Sequence, residues 1–328
     1  MGAGFTGLVV SIAAYAVIRL VVYSYIVKSD VLPVSRATLK ECFVREQLSY
    51  SLPLALSAIV GLVGRVLDRM VIAVNFTTNQ FAVYSVGALE LPLDAIFQKS
   101  VANVLRATFP PLVKEKKFAE IIEIWRASVR KLALVVLPTF VFLLFFSYEF
   151  ITLLFTEEYA ESVGIFRGYL LLVPLHMFVF SVIPPVFGKT AVTFKISLAI
   201  VAINVVLSLI LVKLIGFYGP VIGTVVSAYA GVAMYLVVDM RLLQCTVSDL
   251  IPARSILMTL LVSVLAGSVG LLVNGMLSDP FVRLLVCGAV YFVTFLVFAR
   301  VFNVLQGADI VLIRRFIVKL PLVGRYAK

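Results

Sequence analysis

Several charged side chains of this chain stand inside long apolar runs, where charge is costly. Residues 51–75 contain Arg65, Asp68 and Arg69. Their i, i+3 and i+4 spacing puts all three on one helical face. The run 81–108 contains Glu90 and Asp94, again sharing a face, followed by Lys99 and Arg106. Arg19 lies in the first apolar run, and Arg167 and His176 in a later one. Such residues are functional candidates by default, because each is expensive in lipid unless it is paired or wet. Two chemistries are open to them. Counted inward from the loop 75–80, Arg69 is as deep as Glu90 and Arg65 as deep as Asp94. Asp68, Glu90 and Asp94 are therefore expected in ion pairs that tie two antiparallel helices together. The cations also outnumber the acids: Arg19, Arg65, Arg69, Lys99, Arg106 and Arg167 face only three carboxylates. A surplus of this kind suits a phosphate-bearing ligand, which arginine grips bidentately and lysine holds as a point charge. Arg65 and Arg69, then Arg19, are expected to line a cavity. Lys99, Arg106 and Arg167 read first as snorkelling to the interface and second as ligands. His176 reads as a packing histidine ahead of a proton-coupling one.

The elements that position these residues follow from composition. Of the 328 residues, 62% are apolar and 14% charged, and the mean hydropathy is +1.12. A soluble domain is about half apolar and a quarter charged. Nine runs have the length and apolar content of membrane-spanning helices: 3–27, 51–75, 81–108, 132–147, 163–187, 192–213, 219–240, 256–277 and 281–303. A β-barrel would show weak alternating segments instead. The fourth run gains length from an amphipathic lead-in near Trp125. The net charge of +11 does not indicate nucleic acid, because the positive residues sit in short loops between apolar runs. Basic clusters occupy 28–47, 114–131 and the C-terminal tail, whereas 75–80 is uncharged and 148–162 is acidic. Every second loop is basic, so the basic loops and the C-terminus are expected on the cytoplasmic side and the N-terminus outside. Gly2 to Val27 is too long for a signal-peptide core and reads as a true span. Cys42, Cys245 and Cys287 have no metal or redox spacing, and His176 is the only histidine. A histidine metal site or a Ser-His-Asp triad is thereby excluded, and no cofactor is implied.

Two weaker patterns bear on organisation. Gly7-Leu-Val-Val-Ser11 in the first run is echoed by Gly223-Thr-Val-Val-Ser227 in the seventh, each followed by Ala-Tyr. If the match is more than compositional, the second to seventh runs make one complete six-helix repeat, and the first run ends an earlier one. Transporters are often built from such repeats, with the substrate path between them. The chain then reads as beginning within something longer. In the tail 304–328, Ile313, Phe316, Ile317 and Leu320 share a helical face and Arg314, Arg315 and Lys319 lie elsewhere, as in an interfacial helix meeting anionic headgroups.

An ordered set of short motifs adds a family resemblance. Ser51-Leu-Pro-Leu opens the run holding Asp68-Arg69, followed by Phe81-Ala-Val-Tyr-Ser-Val-Gly87 and Phe109-Pro-Pro-Leu. Then come Tyr159-Ala, Gly164-Ile-Phe-Arg-Gly168, Gly188-Lys189, Asn204 and Gly216-Phe-Tyr-Gly-Pro-Val-Ile-Gly223. This order resembles the polysaccharide-type flippases of the multidrug/oligosaccharidyl-lipid/polysaccharide exporter superfamily, which include the O-antigen repeat-unit flippases. The resemblance implies an all-α, polytopic, MATE-like fold of fourteen helices in two six-helix lobes plus two more. The nine runs here would match helices six to fourteen. On that frame residues 1–47 are the last helix of the N-lobe and a cytoplasmic linker, 48–245 the six-helix C-lobe, 246–303 the two extra helices and 304–328 the tail. The implied function is translocation of isoprenoid-diphosphate-linked sugar units across the cytoplasmic membrane, not an enzymatic reaction. Implied partners are that lipid-linked substrate, membrane lipids, a polysaccharide polymerase or glycosyltransferases, and a missing N-lobe. A drug or cation antiporter of the same superfamily would want acids dominant in the cavity, which is not the pattern. A peptidoglycan-precursor flippase is a near relative. A non-transporting scaffold or half-transporter in polysaccharide assembly is the alternative from another class. A membrane enzyme ranks below these, because the longest loops are about 20 residues and poor in clustered carboxylates.

Overall fold

A computed structural model of the chain describes residues 4–26, 41–89, 92–275 and 279–305. Every regular element among them is helical. By compactness the chain divides into two units, Met1–Ser49 and Tyr50–Lys328. The first contains helix α1 (Gly4–Ile26) and the start of α2 (Glu41–Asn75). In α1 the Ser11 hydroxyl donates to the Gly7 carbonyl at 2.8 Å, and Arg19 stacks over Tyr23 of its own helix at 5.3 Å.

The second unit carries the rest of α2 and then α3 (Thr78–Gly87), α4 (Pro92–Lys114), α5 (Phe118–Phe145), α6 (Ser147–Phe155), α7 (Ser162–Leu170) and α8 (Ile183–Val186). After these come α9 (Thr190–Ile215), α10 (Gly219–Leu243), α11 (Val247–Leu250), α12 (Ala253–Asn274) and α13 (Pro280–Val301). Among the described residues, five stretches are long and apolar enough to cross a membrane: Val44–Asn75, Phe118–Phe145, Thr190–Leu243, Ala253–Asn274 and Pro280–Val301. At 54 residues, Thr190–Leu243 would be about 80 Å long if straight, far beyond the ~30 Å hydrocarbon layer. It reverses instead at Gly216, whose φ of 70° is open to glycine at no steric cost.

Three expectations about the runs need correction. The run 81–108 is two helices: α3 ends at Gly87 and α4 starts on Pro92, a residue suited to a first helical turn and hostile to helix before it. The run 163–187 is broken as well. Short 3₁₀ turns at Val173–Met177 and Phe180–Val182 follow α7, and the two halves meet at 51°. Pro174 and the pair Pro184-Pro185 remove the amide hydrogens that a continuous helix would need. The acidic loop 148–162 contains α6, and its Glu149 is not a solvated loop charge: it is only 9% exposed and accepts a hydrogen bond from Asn274 at 2.8 Å. The lead-in near Trp125 is part of α5, which starts at Phe118. Most of the tail 304–328, from residue 306 on, and the linker charges Lys28, Arg36 and Lys40 lie outside the described residues.

Helices in lipid gain little from the hydrophobic effect and associate where small residues let them approach. The α9–α10 hairpin follows this rule. Gly219, Gly223, Ser227 and Gly231 recur every fourth residue on the buried face of α10, continued by Tyr235, Asp239 and Leu243. Opposite them on α9 stand Val212, Ser208, Asn204 and Ile200. A Cβ at Gly219 would fall on the backbone of Leu211 and Val212, and one at Gly223 would stand 2.8 Å from the Ser208 hydroxyl. A second hairpin, α12–α13, packs on α5. Gly267 and Gly270 admit the rings of Phe145 and Phe146, and the Tyr291 hydroxyl donates to the Pro138 carbonyl at 2.9 Å. The main core lies around Trp125, which stacks on Phe180 at a centroid distance of 5.0 Å.

The two kinds of glycine predict opposite outcomes. Gly219→Ala forces backbone apart and should cost about 3 kcal/mol or more, seen as a large drop in the unfolding midpoint of the detergent-purified protein. Gly61, on α2 with nothing near it, should tolerate alanine without loss, gaining helix propensity of up to about 1 kcal/mol. Equal midpoints for both variants would refute this account of the hairpin.

Candidate functional site

Asp68 lies about two turns before the C-terminal end of α2 and is 4% exposed. Its Oδ2 is the meeting point of two donor chains. The Tyr169 hydroxyl on α7 donates to it at 2.5 Å, and the Thr224 hydroxyl on α10 donates to the same atom. Asn204 Nδ2 on α9 donates to Thr224 Oγ1 at 2.8 Å, and the Ser208 hydroxyl donates to Asn204 Oδ1 at 2.9 Å. On the other branch the Tyr84 and Tyr169 hydroxyls are 3.1 Å apart. A hydroxyl has one hydrogen to give. Tyr169 spends its hydrogen on Asp68, so Tyr84 is the donor in that pair. Every hydrogen bond in the cluster thus points toward one carboxylate, and chains aligned in this way polarise and strengthen each other. Asp68 Oδ1 is buried and takes no hydrogen bond among the described residues.

Aromatic rings and a small residue shape the surroundings. Tyr84 meets Tyr169 and Phe217 edge to face at 6.1 and 5.6 Å, and Phe217 meets Phe76 at 5.5 Å. Gly87 lets α3 close on α7, since a Cβ there would stand 2.6 Å from that of Ile165. The Ser162 hydroxyl completes the contact by donating to the Val83 carbonyl at 2.7 Å.

The neighbouring arginines divide in role. Arg69 is half-buried, and its Nη2 donates at 3.0 Å to the carbonyl of Ala88, the residue that caps α3. It therefore satisfies one of the acceptors that a helix end leaves open. Arg65, one turn earlier, is exposed. The expected ion pairing of Asp68 is not what holds it: its partners are hydroxyls, and no cation lies within salt-bridge range of it among the described residues. Glu90 and the side chain of Asp94 lie outside the described residues.

Arg19 belongs to the N-terminal unit. The other sequence-derived candidates of the second unit do not converge on this site. Lys99 and Arg106 are exposed on α4, where Arg106 Nη1 donates to Asn103 of the preceding turn at 3.3 Å. Arg167 is exposed on α7 and donates from Nε to the buried Ser147 hydroxyl at 2.6 Å. His176 sits half-buried in the 3₁₀ turn Val173–Met177. Tyr84, Tyr169, Thr224 and Ser208 were not singled out by residue chemistry. The available signal was their place in or beside the motifs: Tyr84 within 81–87, Tyr169 directly after 164–168, Thr224 within Gly223–Ser227, and Ser208 one turn after Asn204. Asp239 was missed too, although it is fully buried with neither carboxylate oxygen hydrogen-bonded among the described residues.

A family model described as polysaccharide biosynthesis protein matches residues 1–164, half of the chain. The chain belongs to that family. This agrees with the resemblance read from the sequence, to polysaccharide-type flippases, which are transporters and not enzymes. Among solved structures, one titled "Lipid II flippase MurJ, inward closed conformation" superposes with a TM-score of 0.62 at 17% identity. The match covers 80% of this chain and 56% of the flippase, so this family member spans little more than half the length of its structural relative. The shared feature is the all-helical polytopic fold. No curated protein matches the chain.

If the cluster is one cooperative unit, its members must be coupled. Asp68→Ala strands two donors and should cost about 1–3 kcal/mol. In a double-mutant cycle, Asp68→Asn and Tyr169→Phe should show a coupling of about 1 kcal/mol in the thermal unfolding of the purified protein. Strict additivity of the two changes would mean that the hydrogen bond contributes nothing.

Proposed function

We propose that the chain takes part in moving isoprenoid-diphosphate-linked oligosaccharide units across the cytoplasmic membrane for surface polysaccharide synthesis. The family match over residues 1–164 carries the reading. The likeness to the lipid II flippase fold and the cationic surplus of the spans support it. The proposed architecture is two MATE-like lobes rocking around a cationic cavity, with Tyr50–Lys328 supplying the C-terminal lobe and the two additional helices. In this scheme α2 borders the cavity. Asp68 is tied to α7 and α10, while Arg65, one turn earlier on the same face, is exposed and offers a guanidinium to a diphosphate. A planar guanidinium meets two phosphate oxygens at once, which fits it for an anionic headgroup held between rocking lobes. Arg69 is committed in part to Ala88 and acts first as a positioning residue.

Arg65→Gln is the clean test, because no hydrogen bond of the frame rests on that side chain among the described residues. Loss of one charge-assisted contact is worth about 1.5–3 kcal/mol. Translocation of a labelled isoprenoid-diphosphate sugar by the full natural protein should therefore fall roughly tenfold or more. Membrane insertion and the unfolding midpoint should stay at wild-type values. Full translocation with both Arg65 and Arg69 replaced by Gln would overturn the cavity assignment.

A further inference from the structure

A second cationic site lies at the start of α5. This part of the helix is amphipathic: Ile121, Trp125 and Val129 are buried, whereas Glu123, Arg126 and Arg130 line a cavity of about 650 Å³ with residues of α12 and of the turn after α13. That volume is in the range of small-ligand sites. Its walls are fixed by hydrogen bonds. Trp125 Nε1 donates to the Leu250 carbonyl at 3.1 Å, and Arg126 Nη1 donates to the carbonyls of Ser248 and Asp249 at 2.7 and 3.2 Å. The turn they grip begins at Gln244, in the left-handed region, and is closed by a capping box. In that box the Asp249 carboxylate accepts from the Thr246 amide and hydroxyl at 2.8 and 2.7 Å, which holds its carboxyl below the ordinary range. Asp249 is thus engaged locally. Three arginines, Arg126, Arg130 and Arg254, line the cavity against one acid, the exposed Glu123.

Three further observations point to an anionic occupant. Arg130 Nε is buried and has no hydrogen-bond acceptor among the described residues. The first turn of α12 also borders the cavity, and its N-cap Pro252 provides no side-chain cap. The Ala253 amide donates to the Ile251 carbonyl at 2.8 Å, and the amides that follow it at this helix start favour negative charge. The lining also includes Ser255, Asn303 and the buried Val304, but one edge is apolar and outward-facing, with Met258 39% and Phe302 53% exposed, and Leu257 and Leu261, also on α12, are each 57% exposed. Free phosphate would use the arginines and leave this apolar edge unused. A lipid would use both, its phosphate among the guanidinium groups and its chains along α12 and α13.

We propose that this cavity binds the phosphate headgroup of an anionic membrane lipid, on the basic and therefore expected cytoplasmic face. The site is separate from Arg65 and does not depend on the translocation reading. The test is thermal unfolding of the purified full chain, titrated at constant ionic strength with short-chain phosphatidylglycerol, short-chain phosphatidylcholine or inorganic phosphate. Phosphatidylglycerol should raise the midpoint at concentrations where phosphatidylcholine does not, and inorganic phosphate should need roughly tenfold more or fail. Arg130→Gln with Arg254→Gln should weaken the phosphatidylglycerol response at least about tenfold, whereas Lys213→Gln, an exposed charge on α9, should leave it intact. Arg254→Gln alone, at an exposed first-turn position, gives the same comparison if the double variant does not fold. Equal responses to the two lipids, or an undiminished response in the arginine variants, would overturn the proposal. Phosphate matching the lipid at equal concentration would reassign the cavity to a free anion.

Discussion

One oxygen atom ties five helices of the second unit together. Asp68 Oδ2 receives hydrogen bonds that trace back to α3, α7, α9 and α10, and it belongs to α2. Helix α2 needs such an anchor. From Leu52 to Met70 most of its large side chains are exposed, and it touches its neighbours only at scattered points. In lipid, an exposed leucine gains nothing by turning inward, so apolar character alone does not fix the rotation of a helix. A buried carboxylate does fix it, because leaving that group without donors is expensive. The small residues of α9 and α10 bring two backbones close, and the Asp68 cluster holds a third helix against the pair.

The broken helices belong to the same logic. A helix end inside a membrane exposes carbonyls that need partners, and it is tolerated only where protein provides them. At the end of α3 the partner is Arg69, which donates to Ala88. At the end of α7 the chain continues in 3₁₀ turns, and Tyr229 on α10 donates to the Leu171 carbonyl at 3.0 Å. At Pro185 the carbonyl accepts from the Gly188 amide at 2.9 Å and also from the Tyr50 hydroxyl at 3.2 Å. Each proline-induced break is thus answered by a long polar side chain from another helix. The breaks and the polar side chains that look costly on a hydropathy plot are two halves of one arrangement.

Much of the fold was legible because hydropathy is a local property. The spans near 192–213, 219–240, 256–277 and 281–303 correspond closely to α9, α10, α12 and α13. The breaks at Pro92 and Pro174 were less legible, since proline in membrane helices is common and most prolines only kink the chain. Pro53 and Pro138 lie inside continuous helices, so the residue type alone does not separate the two cases. The site was half legible. Asp68 and the arginines stood out because charge in an apolar run is conspicuous. Their partners Tyr169, Thr224 and Ser208 did not, because hydroxyl residues are frequent in such helices and only the tertiary fold selects which of them meet. The ion pair expected of Asp68 gives way to hydroxyl donors for a related reason, while the two pairs matched by depth, Arg69 with Glu90 and Arg65 with Asp94, involve side chains outside the described residues.

The distribution of arginines then becomes interpretable as a division between frame, boundary and cavity. Arg69 and Arg167 donate to groups of the frame, Ala88 and Ser147, and Arg126 grips the turn before α12. These guanidinium groups replace donors that water would otherwise supply, a task suited to five hydrogens in a planar fork. Arg65, by contrast, is exposed one turn before the buried Asp68, and Arg130 keeps an unmatched donor beside a cavity. The positive surplus of the chain is therefore not one pool directed at a single anion. Part of it is structural, part is scattered on exposed side chains such as Lys99 and Lys213, and part stands at two places with different surroundings. On α2 it stands within an apolar stretch long enough to cross the membrane, and at the start of α5 it stands beside the apolar edge of α12.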